Sequence, residues 1–62
     1  MCQSRVVTFR GGQEEVVMDD VVTVRPQDDH LFLQDLYGQQ KVVRARIKEL
    51  QLMDHRIVIE ED

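Results

Sequence analysis

The stretch Val6-Val7-Thr8-Phe9-Arg10-Gly11-Gly12-Gln13-Glu14-Glu15-Val16-Val17-Met18 decides how the chain is read. Two short segments rich in β-branched residues flank a Gly-Gly pair. Stiff branched side chains pack well on a pleated surface. Glycine reaches positive φ without steric cost, which a tight two-residue hairpin turn demands at both central positions. The stretch therefore predicts a β-hairpin. The pattern continues beyond it, with apolar segments at 21–24, 31–36, 42–47 and 57–59. They are separated by Asp19-Asp20, Pro26-Gln27-Asp28-Asp29, Tyr37-Gly38 and Met53-Asp54. Short strands at this spacing predict an all-β fold, a small barrel of five to six short antiparallel strands. Pro26 lacks an N–H for a ladder and is expected to end the 21–25 strand.

Alternation assigns a core face of Val7 and Phe9, Val16 and Met18, Val22 and Val24, Leu31 and Leu33, Val43, Ala45 and Ile47, and Ile57 and Ile59. The opposite face is also apolar at Val6, Val17, Val21, Phe32, Leu36, Val42 and Val58. One small barrel has one interior, so this second face predicts a subunit interface in a two-fold homodimer. The segment Arg44–Leu52 suits two states. Val43, Ile47 and Leu50 lie at helical spacing, whereas Val43, Ala45 and Ile47 alternate with Arg44, Arg46 and Lys48 as in a strand. The surrounding β pattern favours the strand. The end, Glu60-Glu61-Asp62, reads as a solvated acidic tail.

Size and charge bound the function. The 62 residues make one small domain, 1–62, with a modest core. Apolar runs reach only three residues, as in Leu31-Phe32-Leu33, which excludes a membrane-spanning helix and a secretory signal and predicts a cytoplasmic chain. Eight Lys plus Arg against twelve Asp plus Glu leave a net charge of −4, a handicap for binding phosphate backbones. RNA is nevertheless the alternative partner class, through a basic strand face of Arg44, Arg46 and Lys48. The competing reading of that face is a solvated surface with cross-strand ion pairs. Ser4, Thr8 and Thr23 are the only hydroxyl residues of the serine/threonine type and sit in no nucleophile or phosphate-loop motif, so no enzymatic activity is expected.

Cys2 is the single cysteine, so no disulfide forms within one chain. A thiolate beside the chain-terminal amine and the first amide nitrogens closes small chelate rings, and planar nitrogen and thiolate donors suit Ni(II) or Cu(II). Two Cys2 residues meeting across a dimer axis would complete such a site. A packed terminal hydrophobe or an incidental surface thiol is the competing reading. His30 and His55 both read as turn residues. Glu14-Glu15 and Asp19-Asp20 lack the ligand spacing of a calcium loop and read as strand-edge charges.

Met1-Cys2-Gln3-Ser4-Arg5-Val6-Val7, Glu14-Glu15-Val16-Val17-Met18-Asp19-Asp20-Val21, and Ile47-Lys48-Glu49 with Leu52-Met53-Asp54-His55-Arg56-Ile57-Val58 together resemble the CooT family. These are small nickel-binding proteins, some linked to maturation of nickel-containing carbon monoxide dehydrogenase. The resemblance spans essentially the whole chain. It implies an SH3-like barrel, a homodimer, and Ni(II) held at Cys2 with N-terminal nitrogens as co-ligands. It further implies a role as a nickel chaperone or store, with a nickel enzyme or its maturation machinery as partner. His55 falls in a matching segment and is not carried over as a ligand. Family members have also been labelled predicted RNA-binding proteins.

Overall fold

A computed structural model describes residues 3–62. Six strands run as β1 (Ser4–Arg10), β2 (Gln13–Gln27), β3 (His30–Asp35), β4 (Gln40–Val43), β5 (Ala45–Gln51) and β6 (Arg56–Glu61). A 3-10 turn, Leu52–Asp54, precedes β6. No helix among the described residues is long and apolar enough to cross a membrane. The strands form one sheet in the order β4-β3-β2-β1-β6-β5. All neighbours are antiparallel except β1 and β6, which pair in parallel from Arg5↔Arg56 to Thr8↔Ile59. The fully antiparallel arrangement expected from the sequence is corrected there.

The Gly-Gly hairpin forms as read. Arg10 pairs with Gln13, and Gly11 and Gly12 take φ of 62° and 83° between them. The ambiguous segment is the strand β5. It does not extend through Arg44, however. Strands β4 and β5 are the two edges of the sheet, yet Arg44 alone joins them. Val43 and Ala45 are therefore at most about 7 Å apart along the chain, and the sheet must curl until its edges meet at this corner. The Asp62 N–H donates to the Arg44 carbonyl at 3.1 Å, tying the chain end to the same corner. The result is a strongly curled half-barrel.

Asp19-Asp20 does not separate two strands; it bends one. Strand β2 continues for 15 residues and serves β1 with its first half and β3 with its second. The pairing with β1 slips between Ser4↔Val21 and Val6↔Met18, leaving one extra residue on β2. Asp20 sits in this bulge with φ of 55°, and its carbonyl accepts the Leu36 N–H at 2.8 Å. Short polar side chains tolerate this left-handed backbone better than most. A bulge shifts the alternation and re-aims every side chain beyond it. Hence Val21 is buried and Val22 exposed, the reverse of the expected face. Pro26 lies next to last in β2, opposite Leu31, so the strand ends at Gln27, two residues later than expected.

The core joins Val6, Val21, Leu31, Leu33, Val43, Ala45 and Ile59, with Val17, Met18, Val24 and Ile57 packed on it. Leu31, Leu33, Val43, Ala45 and Ile59 match the expected face, while Phe9, Val16 and Ile47 are exposed. The proposed second face also dissolves in part. Val6, Val21 and Val58 are buried within the monomer, leaving Leu36 and Val42 exposed. Curling brings residues of both alternation sets inside, because β1 and β6 lie mid-sheet with neighbours on either side. The acidic end is not a loose tail. Glu60 and Glu61 belong to β6 and pair with Arg46 and Arg10.

Candidate functional site

One end of the half-barrel holds an open, polar cleft of about 350 Å³. It is lined by Gln3, just before β1, with Ser4 and Arg5 at its start, by Glu14, Asp19 and Asp20 from β2, and by Asp54 at the end of the 3-10 turn with His55 and Arg56 after it. Parallel pairing of β1 with β6 brings the first and last segments side by side here. The Arg5 N–H donates to the His55 carbonyl at 2.8 Å and stitches them together. Gln3, which lines the cleft, is the neighbour of Cys2 in the sequence. Cys2 itself, the metal-ligand expectation, lies outside the described residues.

Charge in the cleft is mixed but net acidic. Four carboxylates (Glu14, Asp19, Asp20, Asp54) face two guanidiniums (Arg5, Arg56). Arg5 Nε donates to Asp19 Oδ1 at 2.6 Å, and this hydrogen bond with the adjacent charge raises the guanidinium pKa further. Arg56 donates to Glu14 Oε1, while its Nε is buried without a partner. Both pairs are solvent-accessible, so each contributes little to stability and mainly positions its side chains. Glu14 and Asp19 are thus ion-pair partners on an interior strand, not edge charges. Among the described residues, no three His, Asp or Glu side chains converge as a metal cage.

His55 caps the 3-10 turn in the left-handed region, with φ of 54° and ψ of 45°. Its N–H donates to the Leu52 carbonyl at 3.3 Å. A histidine held there costs about 1–2 kcal/mol relative to ordinary backbone, where glycine would cost little. His30 is placed elsewhere, on the β2–β3 hairpin, against Asp29 at 3.2 Å and Gln27 at 2.9 Å. The structure therefore brings one histidine to the N-terminal cleft and not the other.

The basic strand face is interleaved with acid. Arg44 pairs with Asp29 at 3.2 Å and Arg46 with Glu60 at 3.2 Å, while Lys48 falls at a bulge between Ile47 and Glu49. The hydrogen bond from His30, then the charge of Arg44, hold the Asp29 carboxyl below its ordinary pKa. The cation–π contact of Arg25 over Phe32, at 5.3 Å to the ring centroid, is on a different part of the sheet. Arg44, Arg46 and Lys48 thus form no continuous positive stripe.

Sequence reasoning missed the cleft as a unit. Its pairs Arg56–Glu14 and Arg5–Asp19 are 42 and 14 residues apart in the chain, and no linear motif signals them. The fold and sequence do have close relatives. A crystal structure of a CooT candidate from Carboxydothermus hydrogenoformans matches with a TM-score of 0.90 and 36% identity, covering 98% of each chain. An uncharacterized protein of Methanocaldococcus jannaschii is 37% identical over 46 residues, 74% of this chain and 81% of that protein. The family model for the CO dehydrogenase accessory protein CooT matches residues 1–60. With essentially the whole chain matched and the same curled sheet in a solved relative, the chain belongs to the CooT family of CO dehydrogenase accessory proteins.

Proposed function

We propose that the chain binds Ni(II) through the Cys2 thiolate as a homodimer, one ion per pair of chains, and carries or stores nickel for CO dehydrogenase maturation. The observation that carries this reading is the net-acidic cleft that Gln3, the neighbour of Cys2, lines. A lone thiolate with N-terminal nitrogens is a donor set for Ni(II), and a net-acidic cleft attracts a divalent cation. One cysteine per chain supplies too few side-chain ligands alone, so the second chain's Cys2 completes the set. The role is carriage rather than catalysis, and the setting is the cytoplasm, where a free thiol stays reduced. The nickel is cargo, so an open site suits release better than a closed cage. The interleaved ion pairs at Arg44 and Arg46 weigh against RNA as the ligand of that face.

Nickel titration followed by calorimetry and by thiolate-to-metal absorption tests the proposal on wild type and Cys2→Ser. Saturation at half an ion per chain in wild type, with no such band in Cys2→Ser, is the expected result. Because the ligand is the thiolate, affinity falls as pH drops. Equal affinity in Cys2→Ser overturns the reading.

A further inference from the structure

Strand β2 is interior in the sheet order, yet only its second half has a neighbour on both sides. Pairing with β3 starts at Val21↔Asp35, and the Leu36 N–H closes on the Asp20 carbonyl. Residues 13–19 carry β1 on one side and, among the described residues, no strand on the other. This open stretch is about 20 Å long. Arg10 and Gln13 flank a two-residue turn and so bond to each other. Bonded and non-bonded pairs alternate along an antiparallel ladder, so Glu14 and Val16 turn their N–H and C=O groups away from β1. Both are solvent-exposed. The Val17 carbonyl faces the same way, since Lys41 Nζ reaches it from β4 at 3.3 Å. Beside the stretch lies a notch of about 460 Å³, walled by Val17 to Asp20 on one side and by Asp35, Tyr37 and Lys41 on the other. On one face of the hairpin Phe9 pairs with Glu14 and Val7 with Val16, so the exposed Phe9 and Val16 are diagonal neighbours.

We propose that an extended, basic segment of a partner protein adds to this edge as a further strand. Ladder groups left open at alternate residues are the chemistry that recognises another extended backbone. Charge then selects its side chains. The notch sets three carboxylates, Asp19, Asp20 and Asp35, against the single ammonium of Lys41, and the whole chain is net −4. Glu15 adds acid on the face opposite Val16. An incoming strand that alternates apolar and basic residues sets the first beside Phe9 and Val16 and the second beside Glu15. Open edges are commonly guarded by charge, and here the guard is acidic. It repels a second copy of this acidic chain and admits a basic strand. The edge uses no metal, so the inference stands apart from the nickel reading.

Fluorescence anisotropy on the metal-free full chain tests this with a short labelled peptide of alternating lysine and valine. The comparison arms are the same peptide N-methylated at every amide, a glutamate–valine peptide, and Val16→Pro. Proline at Val16 removes an outward N–H without taking a bond from β1, which edge strands tolerate. The lysine–valine peptide should bind saturably and less tightly as salt rises, and the glutamate–valine peptide should not bind. N-methylation should weaken binding at least about tenfold and Val16→Pro about fivefold. Amide NMR shifts on binding should centre on residues 13–19. Equal binding of the N-methylated peptide, or shifts centred elsewhere, overturns the edge even where Val16→Pro does not fold. A folded Val16→Pro that binds as wild type does the same. No binding of the lysine–valine peptide, or equal binding of the glutamate–valine one, overturns the basic strand as occupant. A wild type whose self-association is lost in Val16→Pro gives the edge to a second copy and overturns the proposal. None of these results bears on nickel at Cys2.

Discussion

The Gly11-Gly12 turn and the Leu52–His55 turn both need left-handed backbone, and they meet that need differently. The first uses glycine, joins Arg10 to Gln13 directly, and presents no large apolar side chain. The second uses histidine at φ of 54° and displays Leu52 and Met53 to solvent. A third turn, after β3, resembles the first in being explained by local chemistry. Buried Asp35 accepts the N–H groups of Tyr37 and Gln39 at 2.9 Å each, and Gly38 takes φ of 87°. Folding alone accounts for two of these turns. The Leu52–His55 turn places a histidine where glycine would cost little, a strain that folding does not require, and it is the one beside the cleft. Strain kept at such a place points to function.

The contrast can be broken by mutation. Asp35→Ala orphans two backbone donors and is expected to cost about 2–3 kcal/mol, a large share of what a domain this small commands. Thermal unfolding should shift down by roughly 10 °C or more, and no shift would remove Asp35 as the determinant of its turn. Gly11→Ala places a Cβ in the left-handed region although nothing crowds it, so the cost is backbone alone, about 1–2 kcal/mol by denaturant titration. His55→Gly should go the other way. It leaves stability unchanged or raises it by up to about 1 kcal/mol, as glycine relieves the left-handed strain. A clear loss of stability would make His55 a folding residue and erase the contrast between the turns.

The smallest effect concerns the β2–β3 turn, where His30 and Arg44 depress the Asp29 pKa. A depressed carboxyl contributes stability that is present above its unfolded value and is lost as pH falls through its folded value. Asp29→Asn should therefore lose this small contribution at neutral pH and show a flatter acid limb, the two proteins converging as pH falls below the ordinary 3.8. Urea midpoints measured against pH on both proteins check this. The groups are exposed, so the difference is small.

The parts of the fold legible in the sequence are those governed by neighbours in the chain. Gly11-Gly12 and the alternation of Leu31 and Leu33 needed only local rules. The inversion of Val21 and Val22 was hidden, because a left-handed Asp20 shifts the register and an Asp-Asp pair also suits an ordinary turn. The break at Arg44 was hidden too. The alternation of Val43, Ala45 and Ile47 runs through it, and only closure of the sheet demands a corner there. At the site, Cys2 stood out through its chemistry beside the chain terminus. The cleft did not, because the β1–β6 pairing that assembles it joins the two ends of the sequence.

Native mass spectrometry of the nickel-loaded chain tests the central claim most directly. The shared Cys2 site requires a dimer carrying a single nickel ion, and Cys2→Ser under the same conditions should carry none. A wild-type monomer bearing its own nickel, or a Cys2→Ser dimer that still holds one, would contradict it.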